Sequence, residues 1–249
     1  MKRYLFGGVF ILAILEVGIA NADGLPPPPE PMLATTPVFD WTGCYIGAHV
    51  GGGWGKARWI DPEPGPGQVS TDEGTDHTDG WLGGGQIGCN YQTGALVFGA
   101  EAEASWANLS GQHPNPIFAP TVLHTDIDRL GAFAGRVGYA FGRLLVYARG
   151  GGAWVHNDYA VSSPALGTFA TAAEDRWGWI VGGGLELALH SHWSAKLDYS
   201  YIDLGTERIR LDCPTCAAGF FNKDLDQEMH TVRLGFNYQL NWWEPAALK

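Results

Sequence analysis

Residues 231–240 read Thr231-Val232-Arg233-Leu234-Gly235-Phe236-Asn237-Tyr238-Gln239-Leu240. Val232, Leu234, Phe236, Tyr238 and Leu240 share one parity, and Thr231, Arg233, Gly235, Asn237 and Gln239 share the other. Successive side chains of a strand point to opposite faces, so this stretch is a β-strand with one apolar and one polar face.

The pattern recurs upstream. Leu96, Phe98, Ala100, Ala102, Ala104 and Trp106 alternate with Gly99, Glu101, Glu103 and Ser105. Trp193, Ala195, Leu197 and Tyr199 alternate with Ser194, Lys196, Asp198 and Ser200, and Val181, Leu185, Leu187 and Leu189 with Gly182, Gly184 and Glu186. Four glycine-blurred strands lie near 43–55, 79–91, 127–140 and 143–156. That makes eight strands, an even number, as bacterial single-chain barrels require. Three connections are tight, at Gln92-Thr93-Gly94, Phe141-Gly142 and His190-Ser191-His192. Four are long, at about 56–78, 107–126, 157–176 and 203–228, and hold most of the proline and much of the acid. A soluble sandwich has no reason to alternate connections so regularly. The pattern predicts an all-β fold, an eight-stranded antiparallel up-and-down transmembrane β-barrel over 39–243, with four long outer loops and three short periplasmic turns.

Tryptophan placement points the same way. Trp41, Trp193, Trp242 and Trp243 fall at predicted periplasmic strand ends, and Trp54, Trp81, Trp106, Trp154, Trp177 and Trp179 at or near predicted outer ends. Two aromatic girdles are what a barrel carries at its two interfaces. Trp59 alone falls in a predicted loop.

Charged residues are only 16% of the chain, and 36 glycines accompany 11 tryptophans. Lys2 and Arg3, an apolar run from Tyr4 to Leu15 and the small-x-small triplet Ala20-Asn21-Ala22 form an export signal over 1–22. The run is too short for a spanning helix, and Glu16 follows it. A Pro-rich periplasmic linker occupies 23–38, with Pro26 to Pro29 in succession, and a short tail occupies 244–249. No mature stretch is apolar enough for a transmembrane helix, so a membrane location requires a closed barrel. Without Lys2, Arg3 and Glu16 the mature chain has 13 basic against 25 acidic residues, a net charge of −12. Such a sign disfavours nucleic acid as a partner, since its phosphates need a basic surface.

Eight strands leave an interior just wide enough for side chains. Glu101, Glu103, Arg136, Arg149, Glu186, Lys196, Asp198 and Arg233 all point inward at similar depths, and are expected to form a charged belt across the lumen. Strand neighbours suggest the pairs Glu101–Arg136, Arg149–Glu186 and Asp198–Arg233, since an unpaired buried charge is costly. Four cysteines in an exported chain suggest two disulfides; Cys44–Cys89 and Cys213–Cys216 are favoured among the three pairings.

No catalytic, cofactor or metal residues emerge. Gly83-Gly84-Gly85-Gln86-Ile87-Gly88 matches a dinucleotide fingerprint but lies within a strand, where that pattern needs a following helix. His190-Ser191-His192 sits in a periplasmic turn. His77, His113, His124 and His156 fall in or beside outer loops without metal-ligand spacing.

Trp41-Thr42-Gly43-Cys44-Tyr45-Ile46-Gly47, Arg136-Val137-Gly138-Tyr139-Ala140-Phe141 and Lys196-Leu197-Asp198-Tyr199-Ser200-Tyr201-Ile202-Asp203-Leu204-Gly205 resemble the outer-membrane immunogenic, porin-like surface proteins. These are eight-stranded barrels similar to the OmpA membrane domain, and the resemblance covers about 38–243. It implies an abundant surface antigen with envelope-stabilising or weak pore roles, and no catalytic residues to carry over. One departure stands out. Such proteins usually end on an aromatic read by the insertion machinery, whereas this chain runs past Trp242-Trp243 to Lys249. Either the signal is read internally or insertion is less efficient.

The expectation is a structural and surface protein of the Gram-negative outer membrane, supporting envelope integrity and surface interactions without catalysis or cofactor. Both mature termini would be periplasmic. Expected partners are outer-membrane lipid and lipopolysaccharide, the barrel assembly machinery during insertion, and divalent cations or host or phage ligands at the outer loops. A small low-conductance pore is the second reading, and a lipid-modifying barrel enzyme the third.

Overall fold

The computed structural model describes residues 39–62, 70–116 and 120–240. The expected signal peptide, linker and tail, with Trp242 and Trp243, lie outside the described residues.

The strands are β1 (Gly43–Asp61), β2 (Thr71–Thr93), β3 (Leu96–Pro114), β4 (Val122–Phe141), β5 (Leu144–Ser163), β6 (Gly167–Ala188), β7 (Trp193–Asp212) and β8 (Phe220–Leu240). Each pairs antiparallel with its sequence neighbour, and β1 pairs with β8 from Cys44↔Leu240 to Ile60↔Asp224, so the ring is closed. Two turns at the terminal end, Gly94-Ala95 and Gly142-Arg143, are two-residue hairpins. Each begins with a glycine at φ of 61° and 62° respectively, a conformation L side chains rarely adopt.

The strands are longer than the sequence pattern predicts. At 19–23 residues they exceed the roughly 9–11 that cross a bilayer. What reads as four long outer loops is mostly paired strand. The loop-end connections shrink to residues 62–70, 115–121, 164–166 and 213–219. Acid assigned to loops, such as Asp72, Glu73 and Asp76, therefore lies on β2.

The reason is an inversion of the alternation. Along β8, Tyr238, Phe236, Leu234 and Val232 face outward, with Asn237 and Arg233 inside. Beyond His230 the outward residues are Glu228, Asp226 and Asp224, and the inward ones are Met229, Gln227 and Leu225. On β1 the outward series Ile46, Val50, Trp54 gives way to Lys56 and Arg58, while Ala57 and Trp59 turn inside. Below the inversion the outside is apolar and suits lipid. Above it the outside is polar, the inside apolar, and the barrel has the section of a water-soluble protein.

The inversion falls at an aromatic ring. Trp54, Trp81 and Trp106 face outward on the adjacent strands β1, β2 and β3 at that level, and Trp177 and Trp179 do so on β6. Tyr91, Phe98, Tyr139, Phe141, Trp193 and Tyr238 form the opposite girdle. From Trp193 to Tyr201 β7 runs about 27 Å along its axis, or roughly 20 Å of height once tilted, which matches the apolar band of an outer-membrane barrel. Two tryptophans depart from expectation. Trp41 is buried in the terminal mouth, edge-on to Phe39 at 4.7 Å, with Nε1 donating to the Gly142 carbonyl. Trp59 is not in a loop but fully buried inside β1.

Leu234→Arg, at mid-height on the lipid face, is expected to destabilise the refolded barrel by about 2–4 kcal/mol in lipid. Gln112→Arg, outward above the girdle on β3, should cost under about 0.5 kcal/mol. Urea unfolding in liposomes measures both, and equal costs would place the band wrongly.

Candidate functional site

The lumen is filled in layers. Nearest the termini, Trp41, Val97, Leu145, Tyr147 and Ala188 close the mouth. The charged belt follows. Above it sits an apolar layer that includes Leu82, Leu109, Leu130, Ile180, Ile202 and Met229. A polar layer around Arg176 and Gln227 separates it from a second apolar layer containing Trp59, Tyr159, Val161 and Leu225.

All eight belt residues are buried within the ring, four acids and four bases, so their formal charges cancel. Glu101 accepts two bonds from Lys196 Nζ at 2.8 Å each, one from Arg149 Nη1 at 3.0 Å, and one from the Tyr45 hydroxyl at 2.6 Å. Glu103 takes a two-pronged contact from Arg149 (2.9 and 2.7 Å) and another from Arg233. Arg233 also reaches Asp198, which accepts from the Tyr147 hydroxyl at 3.0 Å.

The partners differ from those expected of strand neighbours. Asp198–Arg233 forms at 2.5 Å, while Glu101–Arg136 is long at 3.9 Å. Arg149–Glu186 does not form. Arg149 pairs with Gly182 across the β5–β6 ladder, and Glu186 is four residues further along the strand. Arg136 and Arg149 stand directly opposite each other, and like charges so placed repel. Arg136 turns instead towards the terminal end, between the Tyr45 and Tyr147 rings at 4.9 and 5.2 Å, and meets Glu186 at 3.0 Å. Ser194 and Asn237 complete the Glu186 carboxylate.

β1 and β2 supply no charge to the belt. They supply room and neutral polar links. A β-carbon at Gly88 would collide with the Tyr45 hydroxyl. Gln86 donates to Asn237 at 2.7 Å, so its Oε1 accepts from His49 Nδ1, and His49 Nε2 accepts from Ser105 at 2.7 Å. The dinucleotide-like glycines thus serve this packing within a strand.

The polar layer repairs a gap. The β6–β7 register is broken between Thr171 and Trp179. Arg176 enters there and donates Nη2 to the carbonyls of Leu204, Gly205 and Leu225 and Nη1 to Gln227. Buried carbonyls that lose a ladder partner need another donor. Burial pushes the neighbouring Tyr159 hydroxyl up to about 12, so it remains a donor to Gln227. Neither Arg176 nor the second apolar layer is visible to sequence reasoning that assigns these residues to loops.

Outside the lumen, the Cys44 and Cys89 sulfurs are bonded across directly opposed residues of β1 and β2. Cys213 and Cys216 are bonded within the β7–β8 connection. Inside the upper barrel His113 contacts the fully buried Asp76, which also accepts from Trp59 Nε1 at 3.0 Å, whereas on the outer face His124 Nε2 lies 2.9 Å from the Ser162 hydroxyl. Asp128, His156 and Asp158 bring potential ligand atoms within 4.8 Å of one another on the outer face, a cluster the spacing did not suggest, although His156 is already bonded to Asp175. Ser191 and His192 touch at 3.0 Å on an exposed turn at the terminal end.

A closed eight-stranded ring with an apolar outer band, two aromatic girdles and a packed lumen defines a transmembrane β-barrel of the outer-membrane kind. Residues 33–239 match the outer membrane protein beta-barrel domain, and the chain belongs to that family. It is similar to the 31 kDa outer-membrane immunogenic protein of Brucella melitensis, 29% identical over 226 residues covering 85% of this chain and 89% of the relative. The 25 kDa outer-membrane immunogenic protein of the same organism is 26% identical over 216 residues, 86% of each chain. The 22 kDa outer membrane protein of Rhizobium leguminosarum is 28% identical over 204 residues, 80% of this chain and 78% of the relative.

The belt connectivity makes a test. Arg136→Met and Glu186→Gln are expected to couple by about 0.5–3 kcal/mol in a double-mutant unfolding cycle, and Arg149→Met and Glu186→Gln to add within about 0.5 kcal/mol. The reverse result would restore the strand-neighbour pairing.

Proposed function

We propose that this outer-membrane barrel is a sealed structural and surface protein that supports envelope integrity and presents its loop end outside, without catalysis. The observation that carries the reading is the charge-balanced belt bonded across the lumen. A pore needs side chains that leave a water path, and these are held by one another. Unlocking one arginine would strand buried carboxylates, at about 3–5 kcal/mol for a broken buried pair.

In this reading both termini face the periplasm, because the tight turns lie at the terminal end and the long projecting staves at the other. The outer face above the girdle mixes Asp126, Asp158, Asp175 and Asp203 with Arg129 and Lys56. Such a surface suits lipopolysaccharide, whose phosphates take up bases directly and acids through bridging divalent cations. Host or phage ligands at the same end, and the barrel assembly machinery during insertion, remain partners of this proposal. The names of the immunogenic relatives fit a surface-displayed protein.

Planar-bilayer recording of the refolded mature chain tests the seal. No discrete openings are expected from the native chain. Glu103→Ala combined with Arg149→Ala is expected to produce them, because it removes the centre of the belt. Steady openings from the native chain would move the small pore into first place.

A further inference from the structure

Above the second apolar layer, the loop-end mouth holds a cavity of about 620 Å³. That size is within the usual range for small-molecule sites. The walls are Leu123 on β4, Val161 on β5, Phe169 on β6 and Phe220 and Phe221 on β8. The polar side is different in kind. Lys223 Nζ bridges Asp61 at 2.8 Å and Glu73 at 2.7 Å. Asp61 and Glu73 thus place two carboxylates at one side of the cavity, both held by the same ammonium.

Glu73 is fully buried, and while its Oε1 accepts from Lys223, its Oε2 has no hydrogen-bond partner among the described residues. A buried carboxylate oxygen without a donor costs free energy that a ligand donor would recover. Phenylalanine rings around a negative pole favour a cation with an apolar body, since a cation is attracted to a ring face as well as to the carboxylate. Phe220 already holds the Arg210 guanidinium at 3.9 Å from its centroid. The cup has no continuation, because the apolar layers and the belt lie beneath it.

We propose that the loop-end mouth is a blind binding cup for a small apolar amine, its ammonium directed at Glu73 Oε2 and its apolar body against Phe169, Phe220 and Phe221. The chemistry is capture at the surface rather than passage, and it stands whether or not the belt conducts.

The test is isothermal titration of the refolded barrel in phosphatidylcholine nanodiscs with three matched probes, phenethylamine, 2-phenylethanol and phenylacetate. Phenethylamine is expected to bind at least about tenfold tighter than the alcohol, consistent with one charge-assisted hydrogen bond, and phenylacetate not to bind. Glu73→Gln should bring the amine down to the alcohol's affinity. Val161→Trp, which fills the cup and leaves Glu73 in place, should abolish binding of both. Heat-modifiable gel migration checks that each variant folds, and Val161→Trp carries the test if Glu73→Gln does not refold. Equal affinities for the three probes, no binding of phenethylamine, or amine binding that survives Val161→Trp would overturn the proposal.

Discussion

Everything in this molecule depends on the closure of β1 against β8. In hydrocarbon no water replaces a lost backbone partner, so every amide and carbonyl in the spanning zone must be bonded within the protein. The β1–β8 ladder meets that requirement without interruption from Cys44 to Ile60. The register shifts of the other ladders lie at or above the aromatic ring formed by Trp54, Trp81 and Trp106, where water or side chains can serve the backbone. Arg176 shows the cost of a break inside the ring. One fully buried guanidinium is spent on two carbonyls of β7 beside the broken β6–β7 register, those of Leu204 and Gly205, and on the Leu225 carbonyl of β8.

Closure at eight strands also fixes what the lumen must do. The interior is too narrow for a channel unless side chains are small, and too polar in the membrane zone to be packed with aliphatic residues alone. Lipid outside and alternation along each strand put the polar parity inside. Once inside, charges must be matched. Four acids and four bases meet this condition, with Tyr45, Tyr147, Ser194 and Asn237 completing the carboxylates. The glycines of β1 and β2 have their place here, since long arginines from β4, β5 and β8 need somewhere to lie.

The membrane half was legible in the sequence because lipid imposes a simple rule. Val232, Leu234, Phe236 and Tyr238 cannot alternate with Arg233 and Asn237 for many other reasons, and the eight belt residues follow from parity alone. Their partners were not legible. Parity says which face a side chain takes, not how far an arginine reaches across a lumen, so the sequence suggests Arg149 for Glu186 where the lumen brings Arg136 to it. The outer half was misread for a related reason. There the apolar parity moves inside and glutamate and aspartate increase on the outer face, so strand segments such as 71–78 and 203–212 look like solvated loops. Trp59 was the clue. A tryptophan isolated in a supposed loop was one of the inward residues of a continuing strand.

The inversion divides the labour between the two halves. The membrane half owes its exterior burial to lipid and fills its lumen with charges whose mutual attraction roughly offsets their desolvation. Its net stability therefore comes from the backbone ring and the lipid contact. The upper half buries Trp59, Tyr159, Leu109, Ile180 and Ile202 inside a ring exposed to water, and gains from the hydrophobic effect as a soluble barrel does. The two halves share every strand, so the upper core clamps the staves of the lower ring that carry the belt. A cup above that core then rests on a packed floor rather than on a mobile loop. The packing that anchors the upper staves also holds Glu73, whose Oε2 has no hydrogen-bond partner among the described residues, at the wall of that cavity.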